Sequence, residues 1–243
     1  MSRRSGVSGA LTAPGGGGGG LAFPQRYDLS VNGAHIDDVG SSYPVLVTGT
    51  QVNAVGAFNS VAPTSIGNKA ILGFGGHAPM PVPALVSVEW EWQQLDGGAP
   101  FMPYANLVVS GLDVPLRIFA IDPAAPALLN VGTLTVLGPG HFSFLHDART
   151  NFVQVVQPNL PNTFSPPVPV AAGAGVDWHN LSFDWAAIVL AFPGAQLVDG
   201  STLDGGMPKT TVTPQLIICS GDTTNVRARS HRLLSVKLNG VDA

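Results

Sequence analysis

The chain contains only two glutamates in 243 residues, and they stand two positions apart, Glu89 and Glu91, within the run Ala84 to Leu95, ALVSVEWEWQQL. Two carboxyls on one side of an extended segment can lie about 5–7 Å apart, which overlaps the separation of acid and nucleophile in retaining glycosidases. Glycoside hydrolysis is therefore the reaction for which the sequence offers a candidate pair. The pattern around the pair argues against it. Val86, Val88, Trp90 and Trp92 share one parity, and Ser87, Glu89, Glu91 and Gln93 the other. An extended segment then sends the tryptophans away from the carboxylates, where they cannot stack on a sugar that the carboxylates hold. No further acid follows Glu91, because Trp92, Gln93, Gln94 and Leu95 come next. The reading is that Glu89 and Glu91 decorate the polar or interface-facing side of a strand, and no catalytic residue is assigned.

The remaining chemistry-bearing residues give weaker patterns. His35 with Asp37 and Asp38, His146 with Asp147, and Asp177 with His179 are local pairs that default to turn caps and surface histidines. With one cysteine, neither a zinc-type Cys/His spacing nor an intrachain disulfide can form. Cys219 lies in the apolar run QLIICSG and reads as a buried, inert thiol. There is no Gly-x-Ser-x-Gly elbow, and the glycine runs 15–20 and 73–76 do not lead from a strand into a helix that would cradle phosphate. No metal and no cofactor are expected.

These residues must be positioned by strands. Only 11% of the chain is charged against 45% hydrophobic, well under the roughly 25% charged residues usual in soluble domains. Thirty glycines and twenty-one prolines interrupt the sequence too often for long helices. Strand-like runs recur over 27–33, 43–55, 84–95, 106–110, 116–121, 132–137, 142–145, 151–157, 210–219 and 226–238, with turn residues between them. Residues 180–192, NLSFDWAAIVLAF, alternate at first and then become apolar on both parities, which reads as a strand whose second half is central or covered. Residues 56–83 read as a long loop with room for one brief strand among short apolar pieces such as AILGF, 158–175 as a long crossing loop, and 193–208 as a glycine-rich one. In the last run, Arg227, Arg229 and His231 share a parity and suggest a cationic rim.

The fold class expected is all-β: an antiparallel β-sandwich with jelly-roll or Greek-key connections. Residues 1–24, with six consecutive glycines, read as a disordered or extended arm, and 25–243 as one sandwich domain. The net charge of −4 argues against a nucleic-acid-binding body. Only the arm, through Arg3 and Arg4, offers a weak contact of that kind. No run reaches the roughly 18 apolar residues of a membrane span, and the first residues lack the apolar core of a secretory leader.

With few charges to keep it apart from its copies, such a chain is expected to bury surface against itself. The functional expectation is a structural, self-assembling, non-enzymatic subunit of a virion coat or comparable shell, whose partners are further copies or other subunits. The alternative is a carbohydrate-active sandwich that hydrolyses through Glu89 and Glu91 or binds sugars through Phe101, Tyr104 and Trp178.

Overall fold

The computed structural model of the chain describes residues 25–30, 33–49, 69–76, 79–112, 116–124, 131–155, 182–197, 215–221 and 228–242. The arm 1–24 with Arg3 and Arg4, the stretch 158–175, Asp177, Trp178, His179 and residues 198–208 lie outside the described residues.

Strands are numbered in chain order. One sheet of nine strands runs β1 (Gln25–Asp28), β4 (Ala70–Gly75), β14 (Leu216–Ser220), β7 (Tyr104–Ser110), β8 (Leu116–Ile121), β11 (Phe152–Val155) and β12 (Ser182–Asp184). Beside β7 it also carries β13 (Gln196–Leu197), which pairs in turn with β5 (Met80–Pro81). The second sheet, of seven strands, runs β2 (His35–Asp37), β3 (Val45–Thr48), β15 (Arg229–Leu238), β6 (Ser87–Gln94), β10 (His141–Asp147) and β9 (Thr133–Gly138). Its seventh strand, β16 (Val241–Asp242), pairs with β15. The two sheets pack face to face over a shared apolar core.

Eight of these strands define the topology. In chain order they are β3, β4, β6, β7, β8, β10, β14 and β15. The first pairs with the last, the second with the seventh, the third with the sixth and the fourth with the fifth, all antiparallel. A long antiparallel ribbon wound over on itself gives this order, β3-β15-β6-β10 facing β4-β14-β7-β8, and it is the jelly roll.

Strand β6 forms as its alternation requires. Val88, Trp90 and Trp92 are fully buried, while Ser87, Glu89, Glu91 and Gln93 are half-buried on the outer face. Val86 precedes the strand and is exposed rather than joining the buried set. The tryptophans extend two cross-strand rows through the sheet. One runs Val136, Phe142, Trp92, Leu233 and the other Leu134, Phe144, Trp90, Val236. Trp90 and Phe144 lie 4.9 Å apart at their ring centroids, and Trp92 stacks on Phe142 at 5.5 Å. The Trp90 indole N–H donates to the Pro103 carbonyl at 3.0 Å, so its one polar atom is satisfied in the core.

Residues 70–75, the apolar piece within the expected long loop, form the brief strand β4, buried along its whole length beside β14. Two segments differ from the pattern reading. Residues 185–191, expected to continue a strand, form the helix α1 (Trp185–Ala191). Asp184 ends β12 and caps that helix, its side chain accepting from the Ala186 N–H. In β15 the parity breaks at a bulge between Leu233 and Ser235. His231 and Leu233 are buried before it, and Val236 and Leu238 after it. His231 is thus a core residue and not part of a cationic rim, whereas Arg232 is exposed.

The hairpin of β9 and β10 is held at both ends. At its base Gly132 adopts φ +154°, and a Cβ there would lie 2.4 Å from the Leu145 carbonyl oxygen. At its tip Pro139–Gly140 makes the turn, and the Gly140 carbonyl accepts from the Gln94 N–H at 2.7 Å. At the opposite end of β15, the Asn239–Gly240 turn ties to the start of β6, Asn239 Oδ1 accepting from the Val86 N–H at 2.6 Å.

The burial pattern predicts sharply different costs for neighbouring residues. Trp90→Ala is expected to lower unfolding stability by about 3–5 kcal/mol, and Glu89→Ala by no more than about 0.5 kcal/mol. Urea denaturation of both variants checks this, and equal effects would contradict the assigned faces.

Candidate functional site

Glu89 and Glu91 both lie on the outer face of the seven-stranded sheet, as their parity requires, opposite Leu145 and Ser143 of β10. The structure adds a partner for one of them. His141 Nε2 donates to Glu91 Oε1 at 2.5 Å, from a position diagonal to Glu91 across β10 and β6. Both side chains are about one-third exposed. A carboxylate that orients an imidazole is two parts of a hydrolytic relay. Among the described residues no serine or threonine hydroxyl bonds to His141, and the third part is missing. The six main strands of this sheet carry four aromatic side chains, Trp90, Trp92, Phe142 and Phe144, all in the core. Among the described strands of this sheet, none therefore presents a Phe, Trp or Tyr ring on the carboxylate face.

Of the aromatics proposed for sugar stacking, Trp178 lies outside the described residues, and Phe101 and Tyr104 each lie beside a cation. The Arg229 guanidinium lies 4.9 Å above the Phe101 ring, which also leans on His231. The Lys69 ammonium lies 5.7 Å from the Tyr104 ring centroid. Each cation covers ring surface that a sugar would need.

A polar cluster that sequence reasoning missed joins the two sheets. Ser220 of β14 and His231 of β15 are both fully buried, and Ser220 Oγ lies 2.8 Å from His231 Nδ1. Nearby, Asp96 accepts from the Gln94 side chain at 2.6 Å, the Gly98 N–H at 2.9 Å and the Ser230 N–H at 3.3 Å. Burial pushes the Asp96 carboxyl up, but these hydrogen bonds and the nearby His231 outweigh it and hold it below the ordinary carboxylate range. Serine, histidine and aspartate together invite comparison with a hydrolase triad. The serine, however, is enclosed in the core, where no substrate carbonyl can reach its hydroxyl. The Ser220–His231 bond is a cross-link between the sheets, while Asp96 ties the turn after β6 to the β15 backbone. Only its spatial convergence reveals it, since Asp96, Ser220 and His231 share no local motif.

The other candidates separate. His146 is buried on the core side of β10, its Nδ1–H donating to the Val131 carbonyl at 2.7 Å, while Asp147 faces outward and pairs with Arg149. The two cannot share a ligand. His35 and Asp37 meet at 3.2 Å on an exposed stretch of β2. Among the described residues no three His, Cys, Asp or Glu side chains converge on one point. Cys219 is buried as its apolar run indicates, and desolvation pushes its thiol up to about 11, which makes it a poor nucleophile. A cleft of ≈ 300 Å³ opens beside β1 and β15, lined by Arg26, Tyr43, Phe74 and Leu234 among others, remote in sequence from the glutamate pair.

No protein-family model, curated protein or solved structure matches this chain. No helix among the described residues is long and apolar enough to cross a membrane.

The buried cluster generates a pH prediction. Desolvation pushes the His231 pKa down from 6.5 to about 4, against the opposing pull of Asp96. The unfolded chain then takes up a proton that the folded chain refuses. Stability is full above about pH 6.5 and declines as the pH falls toward 4, by about 2 kcal/mol between pH 7 and pH 5 for this residue alone. His146, also lowered by burial, acts in the same direction. Urea denaturation at pH 7 and pH 5 should show His231→Gln losing less stability on acidification than the parent chain. Identical losses would mean that His231 is not neutral in the fold.

Proposed function

We propose that this chain is a structural, self-assembling subunit, of the coat or shell type found in virions and comparable assemblies, and not an enzyme. The observation that carries the reading is the apolar surface of the β9–β10 hairpin. Leu134 and Val136 on its core side are exposed, as are Leu145 on its outer face and Leu137 beside the turn, on a chain of which only 11% is charged. Exposed apolar side chains that adjoin one another, as Leu134 and Val136 do, mark surfaces completed by a partner. Leu190 on α1, 85% exposed, is a further such residue on the other sheet's edge. The jelly roll supports the reading at fold level alone, because the same architecture serves lectins and cupins as well as capsids.

In this reading the arm 1–24 and the loops 158–175 and 193–208 contribute further contacts between subunits, with Arg3 and Arg4 available for a weak nucleic-acid contact, and the virion is the location. The carbohydrate-active alternative keeps the carboxylate pair and Trp178, which lies outside the described residues. Among the described strands of that sheet no Phe, Trp or Tyr shares the carboxylate face, and Glu91 is already bonded to His141.

Size-exclusion chromatography with light scattering, run over a range of concentrations, tests the proposal. Masses at multiples of 25.0 kDa are expected, with particles, rings or tubes in electron micrographs. A persistent monomer at high concentration would overturn it. Hydrolysis of a glycan that is lost in both Glu89→Gln and Glu91→Gln would favour the alternative instead.

A further inference from the structure

The ends of the two sheets are treated differently by the sequence. At one end of the nine-stranded sheet β1 carries Arg26 and Asp28, and at the other β12 carries Asp184. The seven-stranded sheet ends on β2, which carries His35 and Asp37, and on β9. The short β5 beside β13 contains Pro81. Charge, proline and brevity are the means by which edge strands avoid pairing with other chains. Strand β9 has none of them. Its six residues, Thr133–Gly138, contain no charge and no proline.

The faces of β9 are equally unprotected. Leu134 lies opposite Phe144 and Val136 opposite Phe142, so both project to the core side of the sheet. There the opposing sheet fails to cover them, and Val136 remains 66% exposed. The rows that end Trp90–Phe144–Leu134 and Trp92–Phe142–Val136 are therefore buried through β6 and β10 and open at β9. Among the described residues no strand pairs with its far edge.

We infer that β9 pairs antiparallel with β9 of a second copy about a two-fold axis at Thr135, joining two seven-stranded sheets into one continuous sheet. The inference rests on the assembling function proposed above and names its contact. A symmetric pair sets each residue against its own kind or a near neighbour, so any charge on the strand would face a like charge. An uncharged strand suits this partner, although each copy carries a net charge of −4. A two-fold perpendicular to the sheet keeps the faces in register only when it passes through a residue. Centred on Thr135, it sets Thr135 against Thr135 of the second copy on the outer face. On the core side it sets Leu134 against Val136 and Val136 against Leu134, so both open rows continue across the junction.

Two variants test the pairing. Thr135→Cys places thiols on adjacent strands at the axis, within the roughly 4.4–6.8 Å Cα separation a disulfide spans. Mild oxidation is expected to convert it to a covalent dimer, while the parent chain, whose Cys219 is buried, forms none. Val136→Lys alters an exposed side chain and sets two ammonium groups into the junction. It is expected to weaken dimerisation by about 100-fold or more, with the circular dichroism spectrum unchanged. If the parent chain associates but Val136→Lys associates equally and Thr135→Cys does not cross-link, the β9 contact is wrong and assembly uses another surface. If the parent chain remains monomeric, the assembling function falls with it. Should Val136→Lys fail to fold, the Thr135→Cys result alone decides.

Discussion

The two rows of apolar side chains that cross the seven-stranded sheet through Trp90 and Trp92 set the terms for the rest of the molecule. An indole pair on adjacent same-face positions cannot be buried unless the strand is extended and covered on that side, which fixes the sense of β6 and puts Glu89 and Glu91 on the other side. Phe142, Phe144, Leu233 and Val236 then have to stand opposite in register, because slipping either neighbour by one residue would bring polar side chains such as Ser143 to the core side. The bulge in β15 serves the same constraint. By inserting Leu234 it lets Leu233 and Val236, which differ in parity, both reach the core.

One pair of polar groups taken into this interior joins the layers, and another ties a turn to its own sheet. Ser220 and His231 bond across the gap between the sheets. Asp96 and Gln94 knit the turn after β6, with Gln94 accepting from the Phe101 N–H at 3.2 Å and Asp96 from the strand β15 backbone. A neutral buried histidine does this at lower desolvation cost than a carboxylate or ammonium group, and the consequence is sensitivity to acid. The structure thus couples the two sheets through groups that are uncharged at neutral pH, in keeping with a chain poor in charge throughout.

How much of this could be read in advance depended on how strongly each segment's pattern contradicted its alternatives. β6 was legible because glutamates and tryptophans differ so widely in hydration that one parity break would have been visible. β4 was legible only as one brief strand within a loop, since Ala70, Ile71, Leu72, Gly73 and Phe74 are apolar on both parities and glycine-bearing, a pattern shared by buried strands and apolar loops. The same ambiguity hid α1, where the decisive residue is Asp184. Its carboxylate is a good strand-face polar group and a better helix cap. In β15 the bulge reverses the parity that a continuous strand would have, so His231 was misplaced. At the candidate site the face of Glu89 and Glu91 was legible from spacing alone. The pairing of Glu91 with His141 was not, because it joins residues 50 positions apart through a strand register that only the fold supplies.

The distribution of charge along the sheet edges follows from the same scarcity. A chain with so few ionisable residues cannot protect every edge, and some of them stand at β1, β2 and β12, each three or four residues long. Packing of β2 and β3 against β4, and of β3 against β14, aligns the sheets so that β1 and β2 close one side of the sandwich. β9 and β12 therefore fall at the opposite side. There β12 is short, charged and followed at once by a capped helix, whereas β9 is longer, neutral and anchored at both ends by Gly132 and the Pro139–Gly140 turn. Rigid anchoring of an unprotected strand is costly for a protein that must stay solitary, because it presents unpaired backbone groups already arranged for pairing. The same rigidity lowers the entropy lost on association. The two sides thus differ in kind, one closed by short charged strands and the other leaving β9, the strand of the proposed pairing, uncovered.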